Sequence, residues 1–141
     1  MKILLDTCVV FDYLQARDPY FDDVLNIMIG VANREYAAYI TASSVTDLYY
    51  IVHRSTHSDQ LTRSYMSKLF QLVGITDTSP EDCINALHST ISDYEDAVMV
   101  QTAVRSGMDL LITRNLKDYR TAPVRILDPA SFIMMITSER R

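Results

Sequence analysis

Residues 93–119 read DYEDAVMVQTAVRSGMDLLITRNLKDY. Three acids, Asp93, Glu95 and Asp96, lead this stretch. Ala97, Val98, Val100, Gln101, Ala103 and Val104 follow with helical spacing, so Asp93 to Ser106 reads as an amphipathic helix. Acids suit a helix N-terminus because the macrodipole is positive there, although that requirement does not call for all three. Gly107 closes the helix. Asp109 to Thr113, DLLIT, then reads as a short apolar strand, and Thr113 to Tyr119 as a polar loop. A helix, a glycine, a buried strand and a polar loop make the αβ half of a parallel crossover unit.

The rest of the chain repeats that alternation. Lys2 to Asp6 is an apolar strand ending in Asp, followed by a helix from Thr7 to about Gln15. Asp18-Pro19 has the form of a helix start, with Phe21, Val24, Leu25, Met28 and Ile29 behind it as far as about Asn33. Tyr36 to Thr41 is a second strand, and Ser43 or Ser44 caps the helix after it. Another helix runs from Asp59 and is ended by Gly74, with Gly74 to Thr76 a very short strand. Ser79-Pro80 opens a helix reaching about His88. Val124 to Leu127 is the last strand, and Asp128-Pro129 starts a helix to about Ile136, leaving Ser138 to Arg141 as a frayed tail. Strands alternating with helices predict a parallel sheet covered by helices. With 141 residues and no repeat or linker, residues 1–141 read as one domain.

Composition narrows the function classes. The hydrophobic fraction is 48% and the charged fraction 22%, as in an ordinary globular protein. No apolar run approaches the roughly 20 residues needed to cross a bilayer, and Asp6 breaks the N-terminal apolar stretch, so the expected compartment is the cytoplasm with no membrane partner. Cys8 and Cys83 read as reduced thiols. His53 and His57 lack the surroundings of a zinc site. Gly30, Gly74 and Gly107 are the only glycines, which argues against phosphate-cradling loops. The net charge of −5 has the wrong sign for a phosphate binder, unless several acids share a pocket where a cation offsets them.

Several acids fall where such a pocket would lie. Ligands of an open parallel sheet bind beyond the carboxyl ends of its strands. Asp6 ends the first strand, Asp47 lies in the first turn of the helix after the second, and Asp96 lies in the first turn of the late helix. Asp118 follows the fourth strand, with Asn115 between. Mg²⁺ and Mn²⁺ prefer oxygen ligands, and carboxylates crowded together repel unless a cation joins them. Each acid also has a structural reading: Asp6 as a helix cap, Asp47 and Asp93 as dipole-favoured acids, Asp118 as a turn residue. Asp12, Asp22, Asp23, Glu35, Asp59, Asp77, Glu81 and Asp82 read as caps or solvated surface.

LLDTCVVFDYL, TASSVTDLYYIV and residues 93–119 together resemble the PIN-domain family, metal-dependent ribonucleases that include VapC-type toxins of toxin–antitoxin pairs. The resemblance implies a three-layer α/β/α sandwich with a central, mostly parallel sheet. It implies that Asp6, Asp47, Asp96 and Asp118 are catalytic, with Asp6, Asp96, Asp118 and Asn115 around Mg²⁺ or Mn²⁺. Thr113 is then the group that orients Asp6, Asp93 a neighbour able to share the role of Asp96, and Arg114, Lys117 and Arg120 contacts for RNA phosphates. Many members carry Glu where Asp47 stands, an acid where Asn115 stands, and Ser, Thr or Asn where Cys8 stands. An RNA substrate, a homodimer and a cognate antitoxin are the implied partners, with Tyr49 and Tyr50 as exposed aromatics for a protein contact. Two readings compete: a PIN-like module that only binds RNA or a protein, and a Mg²⁺-binding phosphoacceptor domain. The second needs an acceptor Asp after a middle strand and a late Lys, and residues 74–79 offer only Asp77.

Overall fold

The computed structural model describes residues 1–141. Strands β1 (Lys2–Leu5), β2 (Ala37–Thr41), β3 (Gly74–Thr76), β4 (Leu110–Ile112) and β5 (Arg125–Leu127) form one sheet in the order β3-β2-β1-β4-β5. Every neighbouring pair is parallel, so the sheet is wholly rather than mostly parallel. The crossovers that parallel strands require come, from β1 to β4, from helices α1 (Thr7–Leu14), α2 (Phe21–Ala32), α3 (Ala42–Thr56), α4 (Asp59–Leu72), α5 (Pro80–Ala86) and α6 (Tyr94–Arg105), and from β4 to β5 from a loop with a 3-10 turn. A seventh helix, α7 (Pro129–Glu139), follows β5.

Alternation along the strands sorts the helices into two layers. Ile3, Leu5, Ile40, Leu110 and Ile112 point into a core shared with Val9 and Val10 of α1, Ile27 of α2, Leu48 of α3, Leu69 of α4 and Phe132 of α7. Leu4 and Leu111, one residue out of phase, point to the other face, where Ala86 of α5 and Ala97, Val100 and Ala103 of α6 meet them. Period-two side chains apolar on both faces are what a sheet covered on both sides demands. The result is the expected three-layer α/β/α sandwich.

The path of the chain positions the site. It moves outward from β1 through β2 to β3, then returns to the opposite side of β1 as β4. Such a reversal leaves a crevice beyond the carboxyl ends of the two central strands, here β1 and β4.

Some boundaries differ from the sequence expectation. α2 begins at Phe21 with Tyr20 at its N-cap, while Asp18-Pro19 lies in the preceding turn with a cis bond. Gly74 does not end a helix: α4 stops at Leu72, and Gly74 belongs to β3. A Cβ there would lie 2.7 Å from the Tyr39 ring, so the position needs close approach rather than a helix stop. α7 continues to Glu139, through half of the segment expected to fray.

Asp82 is not solvated. It closes the capping box of α5 with Ser79 and is only 2% exposed. Arg105 Nε and Nη2 of α6 donate to it at 2.9–3.0 Å and Thr102 Oγ1 at 3.2 Å, tying the two helices of one layer together. Burial alone would raise its pKa. Hydrogen bonds from Arg105 and the Ser79 N–H, the charge of Arg105 and the Thr102 hydroxyl outweigh burial and hold the carboxyl below its ordinary range. A depressed carboxylate contributes stability that is present above its ordinary pKa and lost as pH falls through the folded value. Acid titration of unfolding free energy should therefore show Asp82→Asn with a shallower acid limb than the parent; an unchanged limb would show that the network is not coupled to folding.

Candidate active site

Asp6 follows β1 directly, and its N–H donates to Ile112 O at 3.0 Å, continuing the β1–β4 ladder by one residue. It occupies the N-cap position of α1, but its side chain makes no capping bond. The carboxylate turns instead toward the strand end. Its Oδ2 accepts from Thr113 Oγ1 at 2.7 Å and from the Tyr119 hydroxyl at 3.2 Å. Capping therefore does not account for Asp6. Thr113, fully buried at the end of β4, also accepts the Asn115 N–H at 3.1 Å. One hydroxyl thus joins Asp6 to the loop after β4.

Asp96 arrives from the first turn of α6. Asp93, at the N-cap, accepts the Asp96 N–H at 3.0 Å, so its carboxylate is occupied with the helix end. Asp96 Oδ1 accepts from the Tyr119 hydroxyl at 2.8 Å. Asp6, Cys8, Asp47, Glu95, Asp96 and Asn115 line one cavity of about 460 Å³, with Tyr50 and Arg54 of α3 on its wall. Asp47 stands beyond the first turn of α3, which starts at Ala42 and has no acid there, so the helix dipole does not explain it.

Crowding shows in the ionisation. Asp96 is pushed up to about 6, by burial first, against the opposing Tyr119 hydrogen bond, and then by the charges of Asp6, Asp93 and Asp118. Glu95 is also pushed up to about 6, by its hydrogen bond with Asp47 first, then burial and the charges of Asp47, Asp93 and Asp96. Burial and the neighbouring Asp6 charge push the Cys8 thiol up to about 11; a thiol held protonated is a poor metal ligand.

Other expected residues lie elsewhere. Asp118 is exposed in the 3-10 turn Leu116–Tyr119 and outside the cavity wall, acting on Asp96 only through its charge. Arg114 turns away from the cavity. Its Nε lies 2.7 Å from Asp12 Oδ2 without alignment for a hydrogen bond, its Nη2 lies 3.4 Å from Asp12 Oδ1, and its guanidinium sits 4.2 Å from the Tyr20 ring centroid. This corrects two expectations: Arg114 is occupied inside the protein, and Asp12 is fully buried rather than a surface acid. Desolvation raises the Asp12 pKa despite the opposing charges of Arg114 and Arg17. Lys117 and Arg120 are exposed. Tyr50 is 64% exposed, whereas Tyr49 is half-buried with its hydroxyl on Asp59.

Glu95 and Tyr119 escaped the sequence reading. Glu95 sits beside Asp96, but acids opening a helix are accounted for by the dipole. Tyr119 was visible only as an aromatic in an otherwise polar loop.

The profile of one family, described as PIN domain, matches residues 2–117. The chain belongs to the PIN-domain family. Solved structures share its fold. The VapBC2 complex of Rickettsia felis, bound to a promoter DNA fragment, aligns at TM-score 0.64 and 18% identity, over 91% of this PIN domain and 98% of that chain. A toxin–antitoxin complex from Klebsiella pneumoniae aligns at 0.66 and 21%, over 90% and 97%. VapC20 of Mycobacterium tuberculosis, a toxin that cleaves the sarcin–ricin loop, aligns at 0.61 and 11%, over 77% and 86%. No protein of curated function matches this PIN domain at a significant level. No helix of it is long and apolar enough to cross a membrane.

The cavity's donors suit a hard divalent cation in kind: carboxylates and an amide oxygen, with repulsion that a cation would relieve. They are not gathered to ligating distance, since no three His, Cys, Asp or Glu side chains already converge as a metal site.

Proposed function

We propose that this PIN domain, residues 1–141 acting as one unit, is a divalent-metal-dependent endoribonuclease and the toxin of a toxin–antitoxin pair. The observation that carries the reading is Asp6: a residue in a capping position whose carboxylate is withheld from the helix and shares the Tyr119 hydroxyl with Asp96. Asp6 and Asp96 would hold Mg²⁺ or Mn²⁺, with Asn115 as a neutral oxygen donor and Asp47 and Glu95 acting on the outer side. Asp118 contributes charge rather than a ligand. When bound, the metal lowers the pKa of a water and stabilises charge on the phosphodiester. Thr113 orients Asp6 as a supporting hydrogen bond should. Arg54 is the one basic side chain on the cavity wall, and with exposed Lys117 and Arg120 it would meet RNA phosphates, which position without specifying. A homodimer and a cognate antitoxin are the proposed partners; neighbours solved as toxin–antitoxin complexes support the antitoxin. A cation from the antitoxin would quiet the same carboxylates that a metal satisfies.

The test is direct. Purified protein with Mn²⁺ should fragment RNA, and EDTA should stop it; RNA left intact with Mn²⁺ would favour the module that only binds. A thermal readout needs no substrate. Asp96 and Glu95 are raised to about 6 in the folded state, so the metal-free protein loses stability as pH rises through 6. Mn²⁺ should restore it, raising the Tm more at pH 7.5 than at pH 5. An equal shift at both pH values would count against carboxylate ligation.

A further inference from the structure

Tyr119 lies beneath two carboxylates contributed by widely separated segments. Its ring is 2% exposed and packed into the core on the α5–α6 side of the sheet, so packing fixes where its hydroxyl stands. From there the hydroxyl reaches Asp96 Oδ1 at 2.8 Å and Asp6 Oδ2 at 3.2 Å. It has one proton for two acceptors, and the shorter distance marks Asp96 as the principal one. Thr113 supplies a further donor to the same Asp6 oxygen. Asp6 Oδ1 and Asp96 Oδ2 make no hydrogen bond within the protein, so each carboxylate has one oxygen held and one uncommitted.

We propose that Tyr119 is a positioning residue that holds one oxygen of Asp96 against the Asp6 oxygen already held by Thr113, so that the two remaining oxygens are offered to a single divalent cation. The proposal rests on the metal-dependent reading above. The physical need is clear: the terminal torsion of Asp is broad, and Asp96, whose side chain is held by the Tyr119 hydroxyl, would without it turn away from the charge of Asp6. A hydroxyl placed by a buried ring removes that freedom before the cation arrives. It also answers the departure at Asn115, where the loop after β4 brings an amide instead of a charge: the loop contributes order through Tyr119.

Mn²⁺ binding to the whole protein, followed by calorimetry or by the loss of free-ion paramagnetic resonance signal, separates this role from packing. Tyr119→Phe keeps the ring and removes only the hydroxyl. The expected result is Mn²⁺ affinity weakened by about 10- to 100-fold, the usual effect of losing a group that orients a ligand, with an unchanged circular dichroism spectrum. 4-Aminophenylalanine at position 119, which carries N–H donors in place of the hydroxyl, should bind Mn²⁺ more tightly than the Phe variant. This second variant keeps the test valid if Phe proves poorly folded. Equal Mn²⁺ affinity in parent and Phe variants overturns the positioning role and leaves the metal reading standing. A parent that binds no Mn²⁺ overturns both.

Discussion

Asp96→Asn should be more stable than the parent protein and yet cut RNA at least about a thousandfold more slowly. The two effects have one origin. Asp96 is held near a pKa of about 6 by burial and by Asp6, Asp93 and Asp118, so its charged form is unwelcome in the folded chain at neutral pH. Asn keeps an oxygen that can accept from the Tyr119 hydroxyl and discards the charge. Relief is on the order of 1 kcal/mol, after allowing for solvent screening in an open cavity. It should be seen as a raised Tm at pH 7.5 without metal, and should shrink toward pH 5, where the parent carboxyl is already mostly protonated. Activity moves the other way because metal stabilisation of a developing charge is worth several kcal/mol and each 1.36 kcal/mol is about tenfold in rate. A variant less stable than the parent at pH 7.5 would show that the carboxylate is not under repulsion.

Asp12→Ala should cost about 3 kcal/mol of stability although the residue lies outside the cavity. Asp12 is fully buried, with Arg114 at 2.7 Å and Arg17 at 3.6 Å. Removing it leaves Arg114, three-quarters buried beneath Tyr20, without a counter-charge. The raised pKa of Asp12 shows that desolvation exceeds the attraction of its two arginines, so the pair is not there for stability as such. Replacing both partners by apolar residues, Asp12→Leu with Arg114→Met, should therefore recover most of the lost Tm. Arg114 lies between Thr113 and Asn115, so the double variant should still cut RNA poorly, because the loop that orients Asp6 is no longer tied to α1. Recovery of both stability and cutting would show that the ion pair has no part in the site.

Much of the fold was legible because its signals are local. The ILL and DLLIT runs, the helical spacing after Asp96, the start at Ser79-Pro80 and the stop at Gly107 each state their element within a few residues. The family resemblance then supplied the layers. The start of α2 was misplaced because Asp18-Pro19 has the form of a helix cap yet lies in the turn before it. Gly74 was misread because a glycine that admits the Tyr39 ring looks the same in sequence as one that ends a helix. The site divides along similar lines. Asp6, Asp96 and Thr113 sit at strand and helix ends, where position alone marks them. Glu95 was absorbed into a dipole argument that also fits its neighbours. Arg114 was given to RNA and Asp12 to solvent because their pairing joins residues 102 apart in sequence, and no local pattern announces it. Asp118 follows a loop whose tight turn directs Tyr119 inward and leaves Asp118 outside.

The ladder bond from the Asp6 N–H to Ile112 has a temporal meaning. Asp6 is made among the first residues of the chain, but the groups that orient it, Thr113 and Tyr119, lie 107 and 113 residues later. During synthesis the first carboxylate waits without its partners. A nascent chain ending before β4 already carries Asp6, Asp47, Glu95 and Asp96, but it lacks Thr113 and Tyr119, the groups that orient Asp6. The site is completed only by the last third of the chain, because the strand order places β4 beside β1 after β2 and β3 have built one wing of the sheet.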